Sequence, residues 1–276
     1  MLFTLKSVRV GCVKYLNARP LIRDWPGNVE FDHPSALCQR LAKGQLDVAL
    51  VSSFEFLRNP IYHIVDDVSI SCDGPVYSVI VAYRGEFSNI EEIELDPASE
   101  TAVNLLRCVL AELGLTPRLT DAVPGSRAEP GVVDSLPATP RARLIIGDQA
   151  IRFRQNYAGA FQFRDLGEQW KKLTGLPFVY ALWLIRPEVS GVKHIAQRLR
   201  GLRNENLADL SGVVADAVAD VADNKWAITP EFLDRYYHEH LRFGFGTREK
   251  QGLQAFADLC VKHGVLPKRV HDFSPV

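Results

Sequence analysis

"PSALCQRLAKGQLDVALV", residues 34–51, decides the fold. Ser35 supplies an N-cap, Leu37 and Leu41 lie one helical turn apart, and Gly44 offers the left-handed stop that ends helices. The chain then enters the apolar run Leu46 to Val51 with almost no loop between. A second short apolar run, Val8 to Val13, precedes the segment, so the unit reads strand, helix, strand. Such units predict an α/β fold with parallel strands.

Outward from this unit the same alternation continues. "SSFEFLRNP" (52–60) predicts a short helix stopped by Pro60, starting at the carboxyl end of a parallel strand, where ligands collect in open α/β sheets. "GPVYSVIVAY" (74–83) is β-branched and nearly all apolar, which predicts a strand buried on both faces with Ser78 as its interruption. After "DPASE" (96–100) a helix is expected over Thr101 to Leu113, with Val103, Leu106, Leu110 and Leu113 on one stripe and Gly114 at its end. A loop rich in Pro, Gly and Ser follows over 123–140, with one short strand expected at "GVVDSL" (131–136). "ARLIIGDQAIRF" (142–153) predicts strand, turn and helix, and "FQFRDLGEQWKKLTGLPF" (161–178) a short strand and a helix stopped by Gly175 and Pro177. "FVYALWLI" (178–185) is the second long apolar strand. From Pro187 onward the pattern is helical, at roughly 187–200, 204–222, 229–242 and 247–263.

Two long strands bracketing a middle α/β segment imply two lobes and two crossings between them. The expected division is residues 1–84 with 185–276 in one lobe and 85–184 in the other, with a cleft between. The 32 Lys and Arg nearly balance the 33 Asp and Glu, so nothing points to nucleic acid. No run reaches the roughly 18 apolar residues of a membrane span, and "MLFTLKSVRVGCV" reads as a first strand rather than a signal peptide. Five scattered cysteines without a CxxC pair fit reduced thiols in the cytoplasm. P-loop, GxGxxG, GxSxG and HExxH patterns are absent, and His238 and His240, two apart, face different sides of a helix. Nucleotide hydrolysis, serine-hydrolase chemistry and zinc catalysis are therefore disfavoured.

The polar groups that interrupt these elements are the candidate site. Asn17, in "KYLNARPL" (14–21) just past the first strand, can donate and accept, to a ligand or to its own turn; Lys14, Tyr15 and Arg19 flank it. Ser52 and Ser53 stand at a strand-to-helix junction, as do Ser99 and Thr101 at the next helix start. Each pair serves either as a cap or as an oxyanion contact. Ser78, once buried, requires a partner from a neighbouring strand or from a ligand. Gly147 permits close backbone approach, and Asp148 after it serves as an N-cap or a ligand contact.

"VKYLNARPL", "LAKGQLDVALVSS", "SCDGPVYSV", "LDPASETAV", "IIGDQAI", "DLGEQWKKLTGLPFVYALW" and "HLRFGFGTREKQGL" occur in the order and spacing of a known family. From about residue 8 to 263 the chain resembles the menaquinone-biosynthesis family of the futalosine pathway that includes chorismate dehydratase. The resemblance implies a type II periplasmic-binding-protein fold used as a cytoplasmic enzyme. It also implies loss of water from chorismate to give 3-[(1-carboxyvinyl)oxy]benzoate, with no metal or organic cofactor. Asn17 and Ser78 match the residues tied to activity, and the other polar groups named above are expected around the substrate. Three positions depart from the family pattern: Lys14 replaces a small polar residue, and Glu100 and Ala102 stand in "SETA" where "SRTS" is common. Lys14 is expected to offset the lost positive charge. Two other readings stay open: the sister 1,4-dihydroxy-6-naphthoate synthase, whose "SPCPNDTF" motif is not matched here, and a solute-binding protein that holds a small carboxylate without chemistry.

Overall fold

The computed structural model describes residues 4–96, 98–121, 140–222, 226, 228–269, 273 and 275–276. In chain order the first part holds β1 (Val10–Cys12), α1 (Arg19–Ile22), β2 (Val29–Phe31), α2 (Pro34–Ala42), β3 (Val48–Ser52), α3 (Ser53–Arg58) and β4 (His63–Cys72). The middle holds β5 (Val79–Tyr83), β6 (Glu92–Leu95), α4 (Glu100–Glu112), β7 (Arg118–Asp121), β8 (Arg141–Ile146), α5 (Gly147–Asn156), β9 (Gln162–Asp165) and α6 (Leu166–Thr174). β10 (Phe178–Ile185) leads into α7 (Val192–Ala208), α8 (Leu210–Ala222), α9 (Pro230–Arg235) and α10 (Thr247–Lys262).

The strands form two five-stranded sheets, ordered β2-β1-β3-β10-β4 and β7-β6-β8-β5-β9. β1 runs parallel to β2 and β3, and β6 parallel to β7 and β8, as the strand–helix–strand units require. Into each sheet one antiparallel strand is inserted: β10 between β3 and β4, and β5 between β8 and β9. The sheets are thus mixed, parallel through the strand–helix–strand units expected and antiparallel at one inserted strand each. These two strands also lie on the opposite side from the expected division, because β5 pairs within the second sheet and β10 within the first. The chain accordingly passes between the sheets at 73–78 and at 166–177.

β10 is buried along its length except at Ala181, as a strand with both faces covered must be. Its neighbour β4, "HIVDDVSISC", has no counterpart among the expected strands. Asp66 and Asp67 break its apolar run, and Asp67 takes a left-handed φ of 59° while its carboxylate accepts from Arg203 Nη2 at 2.6 Å. "GVVDSL" lies outside the described residues.

Several local expectations shift for identifiable reasons. α2 starts at Pro34 with His33 as its N-cap residue, so Ser35 lies inside the first turn, while Gly44 takes the left-handed conformation expected of it. Ala102, Leu105, Leu106, Val109 and Leu110 form the buried face of α4, and Leu113 is 47% exposed. α7 runs through Gly201 to Ala208 and breaks at Asp209, whose carboxylate accepts from Gly212 N and Ser211 Oγ. The expected helix 229–242 divides into α9 and one π-helical turn, Tyr236–His240. The described helices include none long and apolar enough to cross a membrane.

Candidate active site between the lobes

β1 ends pointing at the cleft, and the chain turns there through a 3-10 turn, Leu16–Ala18, into α1. Pro20 sits in the first turn of α1, where its missing N–H costs nothing. The turn is fixed from two sides: Leu16 N donates to Asp148 Oδ1 at 3.0 Å, and Tyr237 Oη donates to Leu16 O at 2.9 Å. Asn17, held between these anchors, lines a cavity of about 70 Å³ enclosed by both lobes. Its Oδ1 is buried and has no hydrogen-bond partner. The cap role does not account for that atom.

Ser78 reaches the same cavity from the other lobe and is fully buried. It precedes β5 rather than interrupting it, because Tyr77 adopts a left-handed φ of 67°. Asp165 pins that bend: its carboxylate accepts from Val76 N at 3.0 Å and Tyr77 N at 2.7 Å, and caps α6 through Glu168 N. Burial pushes the Asp165 carboxyl up from its ordinary value, and these backbone donors oppose the shift. Tyr236 Oη donates to Ser78 Oγ at 2.7 Å. The Ser78 proton then has only Val76 O, at 3.5 Å, and is available to another acceptor.

Tyr180, on β10, contributes a second unsatisfied group. Its buried hydroxyl faces the Cys72 thiol, a weak partner, and has no oxygen or nitrogen partner among the described residues. Burial drives this phenol well above its ordinary value, so it stays protonated.

The serines and the threonine at the helix starts bind one another across the cleft. Ser52 Oγ contacts Thr101 Oγ1, Phe54 N donates to Thr101 Oγ1 at 3.3 Å, and Ser53 Oγ donates to Val179 O at 2.7 Å. Ser99 is an N-cap, accepting from Ala102 N at 3.2 Å, and also lines the cavity. Gly147 has φ 61° and packs against the Tyr15 ring, where a Cβ would come within 3.1 Å of Tyr15 Cδ2. Asp148 is not a cap, since Ile146 holds that position; it joins the lobes through Leu16. Burial pushes the Asp148 carboxyl up to about 7, against the opposing pull of the Leu16 N–H and of Arg19.

Lys14 and Arg19 are not in this cavity. Lys14 is exposed, and both line a groove on the outer side of the Leu16–Ala18 turn, where Arg19 Nη2 pairs with Asp220 at 2.9 Å. Lys14 therefore does not replace the positive charge expected near "SETA". Glu100 likewise points away from the cavity to Arg58 at 2.9 Å, and Ala102 is buried under α4. Cys38, Glu55 and Glu100 place possible ligand atoms within 4.8 Å of one another, but Arg58 already pairs with both carboxylates and Tyr62 donates to Glu55.

Among the described residues no Asp, Glu, His, Lys or Arg lines the cavity, so it offers amide, hydroxyl and backbone groups against an apolar wall. It is small beside the roughly 300–1,000 Å³ of ordinary ligand pockets. A family model for menaquinone biosynthesis matches residues 8–262. The chain belongs to the menaquinone-biosynthesis family. One member similar to it is a chorismate dehydratase from Thermus thermophilus, 29% identical over 270 residues that cover 90% of this chain and 93% of that protein.

Solved structures share the two-lobed architecture of this family member. Protein AF1704 from Archaeoglobus fulgidus superposes with a TM-score of 0.70 at 15% identity, covering 94% of this chain and 98% of that one. The periplasmic aliphatic sulphonate binding protein SsuA from Escherichia coli gives 0.65 at 13% identity, covering 99% and 94%. The likeness establishes a periplasmic-binding-protein fold for the chain. Asp165 and Tyr180, within the quoted motifs, and Tyr236, outside them, are the residues that sequence reasoning missed. Asp165 carries a legible signal, the D-x-x-E start of a helix, and Tyr180 is a lone hydroxyl in an apolar strand, like Ser78. Nothing local marks Tyr236, which meets Ser78 from 158 residues away.

Proposed function

We propose that the protein is a chorismate dehydratase acting in the cytoplasm, a hydro-lyase that converts chorismate to 3-[(1-carboxyvinyl)oxy]benzoate and water. The observation that carries this reading is the unpartnered Asn17 Oδ1 in a cavity that, among the described residues, no Asp, Glu, His, Lys or Arg side chain lines. With both its carboxylates ionised, chorismate has one hydrogen-bond donor, the ring hydroxyl at C4. An orphaned acceptor suits that group, which is also the one that leaves. Ser78, its own oxygen already accepting from Tyr236, directs its proton to a substrate carboxylate.

The reaction breaks the C–H bond at C3 and delocalises its electron pair through the diene into the ring carboxylate. The C4–O bond then breaks and the ring becomes aromatic. With no carboxylate or imidazole at hand, the substrate's enolpyruvyl carboxylate takes the C3 proton and returns it to the departing hydroxyl, so water leaves and no external base is consumed. The chain's part is orientation in a dry site. Because the cavity is smaller than an ordinary ligand pocket, substrate entry requires the lobes to separate and break the Ser52–Thr101 contact.

Purified protein incubated with chorismate should form a product lighter by one water, followed by chromatography and mass spectrometry. Asn17→Ala should lower turnover by about 100-fold, and Asn17→Asp, which adds a like charge beside the substrate, by at least as much. Intact chorismate with a raised melting temperature would instead indicate a binding protein without catalysis.

A further inference from the structure

The groove that takes Lys14 and Arg19 has a volume of about 620 Å³ and lies between the β1–α1 turn and α8, outside the cleft. Its charges are unevenly satisfied. The acids that line it are all paired: Asp216 with Arg23 at 2.7 Å, Asp220 with Arg19 at 2.9 Å, and Asp24 with Arg23 at 3.7 Å. Among the described residues, the buried side-chain atoms of the groove left without a partner are both donors. Trp25 is 8% exposed and lines the groove, yet its Nε1–H has no acceptor. Arg19 Nε is likewise buried without a partner, and Lys14 makes no ion pair or hydrogen bond among the described residues. A buried indole N–H without an acceptor costs about 1–3 kcal/mol, so the site is complete only with an acceptor supplied from outside. Ile22, Val29, Val213 and the half-exposed Phe31 provide an apolar surface beside these donors.

We infer that this groove is a second ligand site, distinct from the central cavity, for a small monocarboxylate with an apolar, ring-sized body. Among the described residues, one unpaired lysine, one neutral indole donor and one guanidinium already paired with Asp220 fit a single negative charge. The three aspartates around them disfavour a dianion such as a phosphate ester. Val13 and Tyr15 line both the groove and the central cavity, so the ligand rests on the back of the turn that carries Asn17.

Indole ¹H–¹⁵N resonances provide the test, since the chain has four tryptophans and Trp25→Phe assigns one of them. Benzoate, phenylacetate and cyclohexanecarboxylate are the probes, with benzamide as the uncharged control. At least one carboxylate should shift the Trp25 signal saturably below about 10 mM, leave Trp170 and Trp183 unmoved, and bind about tenfold more tightly than benzamide. Lys14→Gln, on the surface, should weaken binding by about tenfold, and Ala219→Phe, which fills the groove from an exposed position on α8, should abolish it. The inference is overturned if no probe moves Trp25. It is equally overturned if Asn17→Ala removes the effect while Lys14→Gln leaves it, which would locate the probe in the central cavity.

Discussion

Replacing Asp148 by asparagine changes one property at the lobe interface, because the amide oxygen can still accept from Leu16 N while the ionisation is removed. Burial raises the carboxyl from 3.8 to about 7, and at about 1.4 kcal/mol per pKa unit the ceiling on this effect is about 4 kcal/mol. The sign follows from the direction of the shift. A raised folded-state value means the closed form favours the protonated acid, so the stability it contributes is complete below pH 3.8 and is lost as pH rises to about 7. Between about pH 5 and pH 8 the ceiling corresponds to about 2.5 kcal/mol, and residual solvent access at Asp148 reduces it to about 1–2 kcal/mol. For a chain of this size that is roughly 4 °C in melting temperature. Thermal melts of wild type and Asp148→Asn across this range should show the variant gaining on the wild type as pH rises. A constant gap, or a wild type that gains instead, would refute the assignment of Asp148 as a buried acid holding the Asn17 turn.

Tyr236→Phe removes the donor to Ser78 Oγ and frees that oxygen to rotate; turnover should fall by about tenfold, with stability reduced by about 1 kcal/mol in denaturant melts. Gly147→Ala combines a φ of 61° with a Cβ at 3.1 Å from the Tyr15 ring, so a loss of about 1–2 kcal/mol is expected, together with weaker chorismate binding in calorimetry. Thr101→Val keeps the shape but breaks the contact with Ser52; small-angle scattering should show a more open pair of lobes, and KM should rise several-fold more than kcat falls. Gly252→Ala places a Cβ at 2.0 Å from Pro177 O across the α10–β10 packing, and insoluble or molten protein is the expected result on expression.

Most elements were legible because their periodicity is local. Leu37 and Leu41 followed by Gly44 specify a helix and its end, and "FVYALWLI" can only be a strand buried on both faces. β4 was illegible because Asp66 and Asp67 interrupt its apolar run and are satisfied by Lys250 and Arg203, which are distant in sequence. At the site, Ser78 stood out as a polar residue in an apolar run and Asn17 through the family motif "KYLNARPL", and both line the central cavity. Lys14 and Arg19 looked equivalent to Asn17 in sequence, yet one 3-10 turn directs them to the opposite side.

Composition, periodicity and turn chemistry thus determined an α/β chain that crosses twice between lobes, since helix and strand signals depend on residues within a few positions of one another. Tertiary structure decided which sheet receives β5 and β10, which polar groups face the cavity and which satisfy each other across it. Those outcomes rest on pairings such as Leu16 with Asp148 and Ser78 with Tyr236, 132 and 158 residues apart. A hydrogen bond between such residues leaves no mark on local sequence, because any donor and acceptor of suitable size can make it once packing has brought them together.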